Sequence, residues 1–153
     1  MAAESIEEDV LRSIGPYALA MLLALAFGAY LLAPPVAQKP ELDMSRERTT
    51  ANGLYVAAIA PEAPEIKQGE LQSWTITVKT AAGQPVSDAV IQVDGGMPEH
   101  NHGLPTAPEV TRNLGEGHYR IEGIKFSMAG RWELRFDITS PAGTDTATFN
   151  LVL

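Results

Sequence analysis

The stretch GRWELRFDIT, residues 130–139, alternates large apolar and polar side chains without interruption. One side of this alternation carries the apolar residues Trp132, Leu134, Phe136 and Ile138. A period of two residues is typical of a β-strand with one buried and one solvated face. The stretch therefore predicts a strand that contributes four large side chains to the core of a β-protein.

Other short segments of β-type sequence lie on both sides of this strand, from residue 53 to the C-terminus. They are GLYVAAIAP, LQSWTITVKT, AVIQVDGG, PEVTRNLGEG, GHYRIEGIKF and TDTATFNLVL. In LQSWTITVKT, for example, Trp74, Ile76 and Val78 share one face. About seven strands in roughly 100 residues, with turns every 8–12 residues, are typical of an immunoglobulin-like sandwich. We therefore predict an all-β fold, an immunoglobulin-like β-sandwich of about seven strands over residues 53–153.

Composition excludes several classes of function. The chain has 153 residues, which suits one domain with a core of its own. Its net charge of -8 leaves no basic surface for phosphates, so we expect no nucleic-acid partner. Cysteine is absent, which excludes thiol catalysis and thiolate metal sites. No nucleophile and base pair is recognisable either, so we predict a protein that is not an enzyme and has no small-molecule substrate.

The segment IGPYALAMLLALAFGAYLLA, residues 14–33, contains no ionisable side chain other than tyrosine. A helix over it would be about 30 Å long, which is the thickness of the hydrocarbon core of a bilayer. We predict one N-terminal transmembrane helix at residues 14–33, after a tail at residues 1–13. A cleaved signal peptide is disfavoured because that tail is acidic and the apolar run is long.

Residues 34–52, PPVAQKPELDMSRERTTAN, are polar and proline-bearing, and they predict a tether between the helix and the sandwich. The positive charges near the span do not support an inside location for the N-terminus. The side chains of the C-terminal part described in the next paragraphs nevertheless favour an extracytoplasmic location for that domain. We therefore expect a single-pass protein of the cell membrane with its C-terminal domain outside the cytoplasm, in the periplasm.

Two stretches of the C-terminal part resemble the YtkA-like family, which includes FixH-like proteins. These stretches are GQPVSDAVIQV followed by MPEHNHG, and LGEGHYRIEGIKFSMAGRWELRFDI. The family consists of membrane-anchored extracytoplasmic β-sandwich domains that are distantly similar to the CopC copper proteins. The resemblance implies a role in copper supply or oxidase assembly. It also implies four metal-site residues, namely Met97, His100, His102 and Met128.

The chemistry of these four side chains is consistent with that implication. A metal ion that accepts thioether as well as imidazole is soft, and Cu(I) fits this pair best. Each residue also has an ordinary structural interpretation. Met97 and Met128 would fill gaps at the open end of the sandwich, and His100 and His102 would be solvated loop residues. Glu99, between two of the candidates, is a further oxygen ligand or a solvated side chain.

Two functions remain open at this point. The first is a membrane-anchored copper-binding protein that delivers Cu(I) to a membrane metalloenzyme, such as a respiratory oxidase, or helps to assemble it. The alternative is a non-catalytic accessory subunit of a membrane complex, whose anchor packs against other transmembrane helices through Ala24, Ala26, Gly28 and Ala29.

Overall fold

A computed structural model of the protein describes residues 42–153. This part of the chain consists of strands, turns and loops. Its nine strands are β1 (Glu47–Thr49), β2 (Tyr55–Pro61), β3 (Gln72–Thr80), β4 (Val90–Met97), β5 (His102–Gly103), β6 (Glu109–Gly115), β7 (His118–Ile124), β8 (Arg131–Ser140) and β9 (Gly143–Val152).

The strands form two antiparallel sheets. The first has five strands in the order β1-β2-β3-β7-β6, and the second has four in the order β5-β4-β8-β9. The chain crosses between the sheets three times, after β3, β5 and β7. The predicted all-β sandwich is therefore confirmed as two antiparallel sheets around a shared core.

The core lies between the two inner faces, and β8 contributes most to it. Its four apolar residues Trp132, Leu134, Phe136 and Ile138 are fully buried. The facing row of β3 is also fully buried and consists of Trp74, Ile76 and Val78. Both rows follow the period of two that the sequence predicted. Burial of these rows against each other is the main apolar contribution to folding.

Seven of the nine strands correspond to the predicted segments, and two were not predicted. Strand β5 has two residues and β1 has three, which is too short for a recognisable period. Strand β1 also lies within residues 34–52, where we predicted a tether. The sequence from Glu47 to Thr49 carries no apolar side chain, yet its backbone pairs with β2. The last part of the predicted tether is therefore part of the first sheet.

A buried carboxylate fixes the segment after β1 to the second sheet. Asp145 in β9 accepts hydrogen bonds from Thr50 Oγ1 at 2.6 Å and from the backbone N–H of Asn52 and Leu54 at 3.0 Å and 3.1 Å. Burial would raise the pKa of Asp145, but these hydrogen bonds and one from Thr146 N–H outweigh it and hold the pKa well below its usual range. The carboxylate is therefore ionised in the folded protein.

The predicted tail at 1–13, the predicted transmembrane helix at 14–33 and the tether up to residue 41 lie outside the described residues. Within residues 42–153, no helix is long and apolar enough to cross a membrane.

Replacing Asp145 with Asn should destabilise the protein by about 1–3 kcal/mol at pH 7, because buried donors lose an ionised acceptor. Since folding lowers the pKa of Asp145, its stabilisation is present above the unfolded value of about 3.9 and is lost as the pH falls below it. The difference between parent and D145N should therefore shrink in urea unfolding at pH 3. D88N, at an exposed aspartate, is the matched control. Equal stability of D145N and parent at pH 7 would contradict this role.

Candidate metal centre

The hairpin of β4 and β5 carries three of the four predicted ligands. Met97 lies directly opposite His102 across the hairpin. The N–H of His100 donates to the Met97 carbonyl at 3.0 Å, which closes a β-turn with Pro98 at its second position. Asn101 then adopts a φ of 52°, a left-handed conformation that asparagine tolerates. The turn therefore reverses the direction of the chain and places His102 opposite Met97 on the neighbouring strand.

Met97 and His102 stand on the same face of the second sheet, because directly opposed residues of an antiparallel pair share a face. Gly96 pairs with Glu133 of β8, so the next position, Met97, falls in the row of Trp132. Trp132 is fully buried and Met97 is 1% exposed. This row therefore leads from the core, through Met97, to His102 at the rim.

His102 has an exposed side chain whose ring lies against Trp132. The two ring centroids are 5.6 Å apart, and the planes meet at 71°. His102 Nδ1 lies 3.0 Å from the carbonyl oxygen of Gly103, which can only accept, so Nδ1 carries the proton. This tautomer leaves the lone pair on Nε2 free. A histidine whose Nδ1 donates to a carbonyl is oriented as metal-binding histidines commonly are.

His100 is exposed at the tip of the same turn. Its ring centroid lies 6.1 Å from that of His102, with the planes tilted by 32°. Glu99 next to it is also exposed and lies 3.9 Å from the half-buried Arg131, which pairs more closely with Glu133. Glu99 is thus directed to a cation of β8, in keeping with the solvated interpretation.

Met128 lies in the loop of residues 125–130 between β7 and β8, and not in a strand. The chain bends at Met128, Ala129 and Gly130, so no strand carries Met128 alongside the hairpin. The Met128 carbonyl accepts a hydrogen bond from Trp132 Nε1 at 3.0 Å. Its side chain is 39% exposed. Backbone bonds between Gly130 and Leu153 hold the end of this loop to the C-terminus.

The side chain of Met97 packs against Gly130 at the end of the same loop. A Cβ at Gly130 would lie 2.7 Å from the Met97 Cε atom, so the methionine methyl fills the space that glycine leaves. Gly130 lies two residues after Met128. The two predicted thioethers therefore belong to adjoining segments, one in the core and one at the surface.

The four predicted ligands thus lie at one end of the sandwich, around Trp132. Met97 is part of the core, His102 contacts Trp132, His100 lies beside His102, and Met128 lies in the adjoining loop. Among residues 42–153, no three His, Asp or Glu side chains are grouped so that they could hold a metal ion.

The outer face of the same hairpin forms a shallow groove of about 340 Å³. Gly96 and Gly103 face each other across the strands and leave it open. Its charged lining residues are Asp94, Glu133 and Arg135. Glu133 and Arg135 alternate with the buried row of β8, and Asp94 of β4 pairs with Arg135, so these charged side chains lie on the opposite side of the sheet from Trp132. Met97 and His102 also line the groove.

Two residues of this region were not assigned to the site by sequence reasoning. Trp132 was predicted to be a core residue, and it is, but it also contacts both ligand-bearing segments. Gly130 gave only the signal of a turn residue, although Met97 packs against it. If the register between β4 and β8 could be read from the sequence, it would place Trp132 beside Met97 and therefore beside the candidate site. His118, the third histidine of the sequence, lies on β7, where its exposed ring forms a hydrogen bond with Thr77 Oγ1 at 2.9 Å.

Comparisons with known proteins give a family and a distant structural likeness. A family model described as YtkA-like matches residues 43–137. The solved structure of a ZirS C-terminal domain is 15% identical, with a TM-score of 0.37, and the match covers 80% of this chain and 88% of that one. No curated protein matches the sequence.

Replacing Gly130 with Ala should destabilise the protein by about 1–3 kcal/mol, because its φ of 129° strains any L-residue. The added methyl should also displace Met97. In a double-mutant cycle with M97A, urea unfolding should therefore reveal a coupling of about 1 kcal/mol. G83A, also at positive φ but with open space around it, should show no coupling to M97A. Additive effects of G130A and M97A would mean that the contact is absent.

Proposed function

The chain belongs to the YtkA-like family, and we propose that it is a membrane-anchored, extracytoplasmic copper-binding protein. In this proposal it holds Cu(I) outside the cytoplasm and supplies it to a membrane metalloenzyme, such as a respiratory oxidase, during assembly. Copper is then the cargo of the protein and not a catalytic cofactor.

The observation that carries the proposal is the meeting of the two ligand-bearing segments around Trp132. Met97 and His102 are paired across one hairpin, and Met128 lies in the loop that Trp132 bonds. Residues 31 positions apart in sequence, such as Met97 and Met128, come to one end of the sandwich only through the fold. A donor set of thioether and imidazole favours Cu(I) over harder cations.

The individual side chains suit reversible binding. His102 has a free Nε2, and both histidines and Met128 are accessible from solvent. Met97 would complete the set from the core side. Cargo that must leave again is best held by exposed neutral ligands, which a membrane acceptor can replace one at a time.

The anchor supports the proposal through its sequence. Residues 14–33 have the length and apolar character of a transmembrane helix. Confinement to the membrane raises the effective concentration of a carrier near a membrane acceptor without any new contact. A tethered domain therefore needs only modest affinity for its partner.

One observation favours the alternative, a non-catalytic accessory subunit. Met97 is 1% exposed and packs within the core cluster, so packing alone accounts for it. In that case the exposed end of the sandwich would contact a larger complex, and the anchor would pack against other membrane helices.

Metal preference separates the two functions. The full chain, purified in detergent, should bind Cu(I) more tightly than Zn(II), because zinc gains little from thioethers. M97L and M128L keep volume and apolarity, so each should cost less than about 1.5 kcal/mol in stability while Cu(I) affinity falls. The double variant H100A/H102A should lose binding at neutral pH. Competition with a colorimetric Cu(I) chelator measures all of these affinities.

The chain supplies matched controls for this experiment. Met44 is an exposed methionine in the segment before β1, and His118 is an exposed histidine on the outer face of β7. M44L and H118A should therefore bind Cu(I) as the parent does. If M97L and M128L also bind as the parent does, the methionines are packing residues and the accessory-subunit function takes precedence.

Topology gives an independent test. An alkaline phosphatase fused to the C-terminus should be active, because this enzyme matures only outside the cytoplasm. A green fluorescent protein fused at the same position and exported through the same pathway should be dark. A fluorescent green fluorescent protein fusion together with an inactive phosphatase fusion would place the sandwich in the cytoplasm and contradict the copper-delivery proposal.

A further inference from the structure

Trp132 is the residue that contacts both ligand-bearing segments. Its ring packs against His102 of the hairpin at 5.6 Å between centroids. Its Nε1 donates to the Met128 carbonyl at 3.0 Å. Phe126, at the start of the same loop, packs edge-on against the indole at 5.3 Å. Trp132 itself is fully buried, so the core holds its position.

The two segments have few contacts that bypass this indole. Within the described residues, no hydrogen bond joins the turn 97–102 directly to the loop 125–130. The packing of Met97 against Gly130 is apolar and gives little orientation. The indole therefore supplies the directional contact between them.

We propose that Trp132 is the positioning residue of the copper site and sets its affinity for Cu(I). This inference rests on the proposed function. Nε1 holds the Met128 backbone, and the ring limits the orientations of the His102 imidazole. Both ligands are then pre-arranged before the metal arrives, which reduces the entropy lost on binding.

The residue type is specific to this role. Phenylalanine would fill much of the same space, but it has no N–H for the Met128 carbonyl. Loss of a group that orients a ligand commonly costs 10–100-fold in metal affinity. We therefore expect W132F to bind Cu(I) about 10–100-fold more weakly than the parent.

Trp74 provides the matched control. It is also fully buried, but its Nε1 has no hydrogen-bond partner among the described residues, and its aromatic neighbour is Phe126. W74F therefore removes an indole group from the same core while the contacts of Trp132 with His102 and with the Met128 carbonyl are kept. Its Cu(I) affinity should equal that of the parent.

The experiment compares parent, W74F and W132F as full chains in detergent. Chelator competition gives Cu(I) affinity, and thermal unfolding gives stability. Weaker binding by W132F alone, at a stability no lower than that of W74F, supports the inference. Equal binding by parent and W132F overturns it, as does an equal loss in both variants, which would reflect general destabilisation.

Fluorescence of W74F adds a readout in which Trp132 stays in place. In W74F, Trp132 is the remaining indole, so Cu(I) bound at His102 should change its emission. In W132F, where Trp74 remains, Cu(I) should leave the emission unchanged. Binding to W74F without any change in emission would overturn the inference even if W132F failed to fold. If the parent itself binds no Cu(I), the proposed function fails and the inference fails with it.

Discussion

Burial of the inner row of β8 between the two sheets is the constraint on which the rest of the structure depends. Each of its four large side chains is fully buried, and each lies opposite a residue of β4 or β9. A shift of one residue in register would turn the whole row to solvent. The pairing of β4 with β8 is therefore fixed, and with it the place where the β4–β5 hairpin projects.

The first member of this row, Trp132, links the core to the candidate site. Its indole is buried in the core. The ring contacts the imidazole of His102, and the N–H donates to the carbonyl of Met128. In a protein whose metal ligands lie on a mobile loop, metal binding itself would have to order that loop. Here the order comes from hydrophobic burial, which is present without metal.

Much of the fold could be predicted from the sequence, because period-two alternation reports directly which face is buried. The inward positions of Trp74, Ile76 and Trp132 followed from it and were confirmed. Strands β1 and β5 could not be predicted, since backbone pairing in two or three residues leaves no periodic signal. The attachment of the segment after β1 to Asp145 depends on a pairing over 90 residues of sequence, which no local pattern reveals.

For the candidate site, the family resemblance implied the four side chains, their chemistry is consistent with it, and the fold brings their segments to one end. The sequence could not reveal that Met97 is buried while Met128 is exposed. The burial of each depends on how the loop of residues 125–130 packs against the β4–β5 hairpin. We propose that thioether and imidazole bind one Cu(I) ion together. X-ray absorption at the copper edge of the Cu(I)-loaded full chain tests it most directly. Our account predicts sulfur and imidazole nitrogen in the same first coordination shell, and a shell of nitrogen and oxygen alone would contradict it.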